Sequence, residues 1–201
     1  MSGCNCEFEI KNREQSRVLI VLLGINAVMF VVEIALGILS ESTALIADSL
    51  DMLADATVYG IGMYAVGRPM SAKIRAAHLS GVFQIMLGAL VSLDVFRRFV
   101  GGSEPESLLM ISVGLVALMA NVICLKLISK HREGEVHMRA SWVFSKNDVI
   151  ANLGIIVGGL LVYTLDSRYP DLLIGLAISI VVIRGGMQIL RDAGDEKKQL
   201  A

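Results

Sequence analysis

Cysteine, proline and charge are all scarce in this chain of 201 residues: three cysteines, three prolines and 18% charged residues. The cysteine count is odd, and Cys4 and Cys6 are separated by a single residue, so a disulfide framework is excluded. Pro69, Pro105 and Pro170 all fall between apolar blocks and none interrupts one. A net charge of −1 offers no basic surface to nucleic acid. No Ser/Gly linker or low-complexity run is present. The first 16 residues are polar and of mixed charge, so no signal peptide is expected and the first apolar block should stay as an anchor.

What is abundant is apolar side chain, 55% of the residues, with a mean hydropathy of +0.67. A soluble domain usually holds about 45–50%. The distribution decides the matter, because the apolar residues come in blocks of about 20, the length that crosses a hydrocarbon core. Six spans are expected: 17–39, 45–66, 74–100, 108–128, 141–165 and 172–190. The fold class is therefore all-α, a six-helix membrane protein with a polar tail over 1–16 and a short tail over 191–201. No soluble C-terminal domain is expected.

Charge gives the orientation. Lys11, Arg13, Arg17, Arg68, Lys73, Arg75, Lys130, Arg132, Arg139, Arg191, Lys197 and Lys198 lie on one side of a six-span layout. Arg97, Arg98 and Arg168 lie on the other, with Glu104, Glu106, Asp166 and Asp171. The positive-inside rule then places both termini in the cytoplasm. A bacterial inner membrane is the expected location.

The acids inside the spans carry the functional signal, because a carboxylate at the bilayer centre costs at least about 2.5–3.5 kcal/mol. The second span reads ALIADSLDMLADATVYG. Asp48, Asp51 and Asp55 are spaced i, i+3, i+7, a single stripe on a helix. Asp51 and Asp55 are one turn apart, so their carboxylates can converge on one ion. The fifth span carries Asp148, with Asn152 one turn later on the same face and Asn147 turned about 100° away. The bland explanation is acids at the interface or capping a neighbouring helix. Three in one stripe and a fourth on another span, with few cations nearby, favour a bound metal ion.

Carboxylate and amide oxygens suit divalent cations, and protons compete for the same oxygens. Glu33 in the first span reads as structural or as part of a proton path. Asn26 and Asn121 read as interhelical hydrogen bonds. His78 reads as an interfacial histidine, and Gly154, Gly158 and Gly175 as points of close helix approach. Cys4 and Cys6, and His131 and His137 in the longest loop, are candidates for cytoplasmic metal capture; a flexible tail and a solvated loop are the plain readings.

In its layout, its LIADSLDMLADA stretch, Asn121 and its Asp-bearing fifth span, the chain resembles the cation diffusion facilitator family over about 18–190. The resemblance implies export of a divalent metal, of the zinc, cobalt or cadmium class, in exchange for protons. The protein would then be a secondary transporter rather than an enzyme, needing no cofactor, with the metal as substrate. It would sit in the lipid bilayer as a homodimer. The family's transport site falls on Asp51 and Asp55 of the second span and Asp148 of the fifth. The fourth family position falls on Phe144, which cannot ligate. Asn152, Asn147, Asp48 or water would have to complete the shell. Many family members also carry a cytoplasmic metal-sensing domain after the sixth span, which is not expected here.

Two other functions compete. A metal-binding sensor or assembly subunit that moves no ion would fit the departure at Phe144. An intramembrane aspartyl protease would need two embedded aspartates, but Asp148 lies in NDVIAN rather than in a glycine-flanked GxGD-type stretch.

Overall fold

The computed structural model describes residues 3–65, 70–130 and 136–199, with only the backbone described at 3–12, 136–141 and some further positions, among them Phe144. Six helices follow in order: α1 (Gly3–Leu39), α2 (Thr43–Ala65), α3 (Met70–Gly101), α4 (Ser107–Ser129), α5 (Val136–Leu165) and α6 (Tyr169–Gln199). No strand occurs among the described residues. Each expected span lies within or closely matches one helix. The differences are at the polar ends. The helix of α1 runs back to Gly3, through the segment expected as a tail, and α6 runs on to Gln199. Polar residues can continue a helix beyond the apolar stretch, and hydropathy does not register them.

The chain forms an all-α, membrane-spanning bundle that is apolar outside and polar inside. Large apolar side chains are exposed along α1, α3, α4, α5 and α6, for example Val28, Leu79, Leu93, Met119 and Leu160. Asn26, Glu33, Asp48, Asp55, Gln84, Asn121, Asp148 and Asn152 are buried. A lipid solvent permits this arrangement, since an exposed leucine costs nothing there and an exposed acid costs several kcal/mol.

Five helices are long and apolar enough to cross a membrane, and α2 is the exception. At 23 residues α2 is as long as α4, but its acids make it unfit to face lipid. It lies at the centre instead. Among the described residues α2 is the one helix in contact with all five others, and Tyr64 is its one exposed side chain. The remaining helices close around it, with α3 paired to α6 and α4 to α5.

At one end of the bundle the α1–α2 and α3–α4 turns are tied together. The α1–α2 turn is a Schellman cap: Ser42 N–H donates to Gly37 O (3.1 Å) and Glu41 N–H to Ile38 O (3.3 Å). Glu41 takes the left-handed position (φ 52°) that glycine usually fills. Arg98 at the end of α3 is buried, pairs with Asp94 at 2.7 Å and donates to Glu41 O at 2.6 Å. Glu106 N–H, just before α4, donates to Ser40 O (2.9 Å).

At this end α6 also reaches α2. A Cβ on Gly175 would lie 2.9 Å from Thr43 Cγ2 and 3.1 Å from Thr43 O. Only glycine allows that approach. One turn earlier on the same face, Asp171 caps α2. Its carboxylate accepts hydrogen bonds from Ser42 Oγ (2.6 Å), Thr43 N–H (2.7 Å) and Ala44 N–H (3.0 Å). Asp171, which falls just ahead of the expected sixth span, thus holds the start of α2. Of the other expected glycine contacts, Gly158 is tight against Ile174 (3.1 Å), whereas Gly154 makes only ordinary contacts.

Candidate metal centre

The stripe on α2 begins one and a half turns into the helix. Asp48, Asp51 and Asp55 lie about 7, 12 and 18 Å along the axis from Thr43. Asp48 and Asp55 are fully buried and Asp51 is partly so. Tyr59 extends the stripe by another turn and is fully buried. Its hydroxyl lies 3.1 Å from Asp55 Oδ2, to which it donates, and 3.3 Å from Ser145 Oγ on α5. Tyr59 therefore bridges α2 to α5 one turn before Asp148. The buried Asp148 lies near enough to Asp55 and Asp51 for their charges to act on one another. The three acids expected to share an ion thus belong to the facing sides of two packed helices.

Among the described residues no protein cation neutralises this group. Ion pairs form instead at Asp94 and Asp195, both far from it in sequence and on other helices. Lys126 and Arg184 are exposed, and the exposed Lys146 has its ammonium over the Trp142 ring, 5.8 Å from the centroid. Among the described residues, no three His, Cys, Asp or Glu side chains are drawn in tightly enough to hold a metal between them. Asp55 meets the Tyr59 hydroxyl through Oδ2 and lies within hydrogen-bonding reach of Asp148.

The candidates for completing the shell separate. Asn152 spends its N–H on the Asp148 backbone carbonyl (2.9 Å), and its buried Oδ1 has no donor. It stands beside Asp48, as does Glu33 of α1. Asn147 is partly exposed on another face of α5. The side chains of Phe144, Cys4, Cys6, His131 and His137 lie outside the described residues. His78 is exposed, with Nδ1 3.2 Å from Ile74 O, as expected of an interfacial histidine.

Asn26 reaches Cys124 Sγ on α4 at 4.0 Å and also donates to Leu22 O (2.9 Å), as an interhelical asparagine should. Asn121 differs from expectation, since both of its buried side-chain atoms lack a partner. Tyr59 and Ser145 were not singled out from the sequence. Tyr59 had a legible signal, the i+4 position after Asp55. Ser145 had none, because only packing sets it opposite Tyr59.

The model of the cation efflux transmembrane domain matches residues 19–196, and the chain belongs to that family. It is 24% identical over 194 residues to the zinc transporter ZitB of Escherichia coli (strain K12), covering 90% of this chain and 62% of that protein. It is 21% identical over 179 residues to the metal cation efflux system protein CzcD of Cupriavidus metallidurans, covering 83% and 57%. It is 30% identical over 136 residues to the vacuolar zinc transporter ZRC1 of Saccharomyces cerevisiae, covering 59% and 30%. The chain therefore spans about three fifths of the length of the first two.

Proposed function

We propose that this member of the cation efflux family exports divalent metal cations from the cytoplasm in exchange for protons, holding each ion between Asp51 and Asp55 of α2 and Asp148 of α5. One observation carries the reading: acids from two packed helices meet at the centre of a lipid-facing bundle with no protein cation among the described residues to balance them. Zinc is the first ion to test, because relatives over most of the chain are zinc transporters by name. Cobalt and cadmium follow from the family resemblance.

The chemistry needs little beyond the carboxylates. They bind a metal only when deprotonated, so an ion and protons exclude one another from the same oxygens. The ion enters from the cytoplasmic side and displaces the protons. A change in the packing of α2 against α5 then opens the site to the other side, in the manner of alternating access. Protons reload the carboxylates for the return. Tyr59 orients Asp55 through one oxygen and leaves the other for the ion. Zinc favours four ligands. With phenylalanine at 144, water or an amide oxygen supplies the fourth. The family resemblance implies that the working unit is a homodimer in the membrane, both termini facing the cytoplasm.

The test is flux. Purified protein in liposomes should accumulate or release Zn²⁺ when a pH gradient is imposed. Movement of none of Zn²⁺, Co²⁺, Cd²⁺, Mn²⁺ or Fe²⁺ under that gradient would leave the sensor or assembly reading in its place.

A further inference from the structure

We propose that Glu33, Asp48 and Asn152 form a second divalent-cation site, set beside the Asp51–Asp55–Asp148 site on the side of the α1–α2 turn. The proposal rests on the transport reading of that neighbouring site. Three helices contribute, α1, α2 and α5. Glu33 and Asn152 have no exposed surface and Asp48 has 1%. Their depths agree: Glu33 lies six residues before the end of α1, and Asp48 five residues after the start of α2. Asn152 lies one turn beyond Asp148, on the way to the same end of the bundle.

The inventory of partners points to an ion. Both carboxylate oxygens of Glu33, Oδ2 of Asp48 and Oδ1 of Asn152 are buried with no hydrogen-bond donor. All four are acceptors. A buried acceptor without a partner costs about 1–3 kcal/mol, and more when charged. Asp48 lies within hydrogen-bonding reach of the Glu33 carboxyl and the Asn152 amide, so a shared proton and one amide N–H meet part of this demand, yet the four named atoms have no donor placed for them. Asp171 shows what the same fold does with a structural carboxylate, giving it three donors. Among the described residues Glu33 has no donor at either oxygen and Asp48 has none at Oδ2. A cation would satisfy all four oxygens at once, and two carboxylates with an amide oxygen form a hard-oxygen donor set suited to Mn²⁺ and similar ions.

The spacing suits a relay. Asp48 lies seven residues before Asp55, about 10 Å along α2, and Asn152 about 6 Å along α5 from Asp148. An ion released by Asp55 and Asp148 could gain Asp48 and Asn152 before losing all of its first oxygens.

Mn²⁺ binding to the full chain in lipid nanodiscs, counted by electron paramagnetic resonance, tests the site. Mn²⁺ is chosen because the thiols of Cys4 and Cys6 hold it poorly. The Asp51→Asn/Asp55→Asn variant should still bind one Mn²⁺ per chain. Adding Glu33→Gln should weaken that binding by about tenfold or more, and adding Asn152→Asp instead should tighten it by about tenfold. The second arm gains a ligand, so loss of folding cannot imitate it.

Complete loss of Mn²⁺ binding in the Asp51→Asn/Asp55→Asn variant, with one ion on the unsubstituted chain, would overturn the second site and leave the transport site standing. Retained binding that neither Glu33→Gln nor Asn152→Asp alters would place the ion elsewhere and overturn it too. Failure of the transport reading is read separately, as absent Zn²⁺ flux in the unsubstituted chain.

Discussion

Asp171 and Asp48 are both carboxylates sealed inside a membrane bundle, and their surroundings are opposite. Asp171 accepts three hydrogen bonds from the first turn of α2, two of them from backbone N–H groups. A helix N-terminus carries partial positive charge and free N–H groups, so a carboxylate there is stabilised twice over. Asp48 lies five residues further along the same helix, where every backbone N–H is already used, and its Oδ2 has no donor. Burial alone therefore does not mark a functional acid in this protein. The inventory of partners is what separates the two acids. One acid is placed where the start of a helix satisfies it, and the other keeps an oxygen for which the described residues place no donor.

The largest effect expected from this contrast is on flux. Asp55→Asn should cut proton-driven Zn²⁺ flux in liposomes by more than about tenfold, the loss of at least 1.4 kcal/mol of ion binding, while the protein remains monodisperse. Surviving flux would remove Asp55 from the site. At the structural acid the result should invert. Asp171→Ala should lower stability by about 2–3 kcal/mol, through loss of the cap and stranded N–H groups. That corresponds to a fall of several degrees in melting temperature for a chain of this size, with flux per folded molecule nearly unchanged. If Asp171→Ala abolished flux in well-folded protein, the division between structural and functional acids would fail.

Gly175→Leu should act in the same direction as Asp171→Ala. Its side chain would collide with Thr43 and push α6 off the start of α2. A melting curve of this variant combined with Asp171→Ala should show less than the sum of the two losses, because both break one contact. An additive result would mean that the cap and the close approach are independent.

A smaller effect is expected at Tyr59, which has a foot in both helices. Tyr59→Phe removes the donor to Asp55 and should reduce flux by about three- to tenfold, since it orients the acid without replacing it. The smallest effect belongs to the turn. Glu41→Gly relieves a left-handed residue and should raise stability by about 1 kcal/mol or less, partly offset by loss of the exposed contact to Glu104 N–H (3.3 Å). A drop in melting temperature would show that the Glu41 side chain contributes more than its backbone strain costs.

Much of this arrangement was legible from the residues alone. Blocks of about 20 apolar residues placed all six helices, because a bilayer imposes that length on any sequence that crosses it. The i, i+3, i+7 stripe put Asp48, Asp51 and Asp55 on one face, and Tyr59 was open to the same arithmetic. The ends of α1 and α6 were not legible, since polar residues give no hydropathy signal. The cap on α2 was hidden for another reason. Ser42 and Asp171 are 129 residues apart, and no local pattern announces a bond across that distance.

By itself the sequence determined the helices, the face of each that must avoid lipid, and the acids that need a counter-charge. Those follow from period, length and the cost of charge in hydrocarbon, all of them local properties. Only the tertiary structure decided which acids were satisfied. It gave Asp171 to the start of α2, set Tyr59 between Asp55 and Ser145, and grouped Glu33 and Asn152 around Asp48 while leaving four of their oxygens without a placed donor. Partners are chosen by packing between distant helices, and a carboxylate is structural or functional according to the partners it receives.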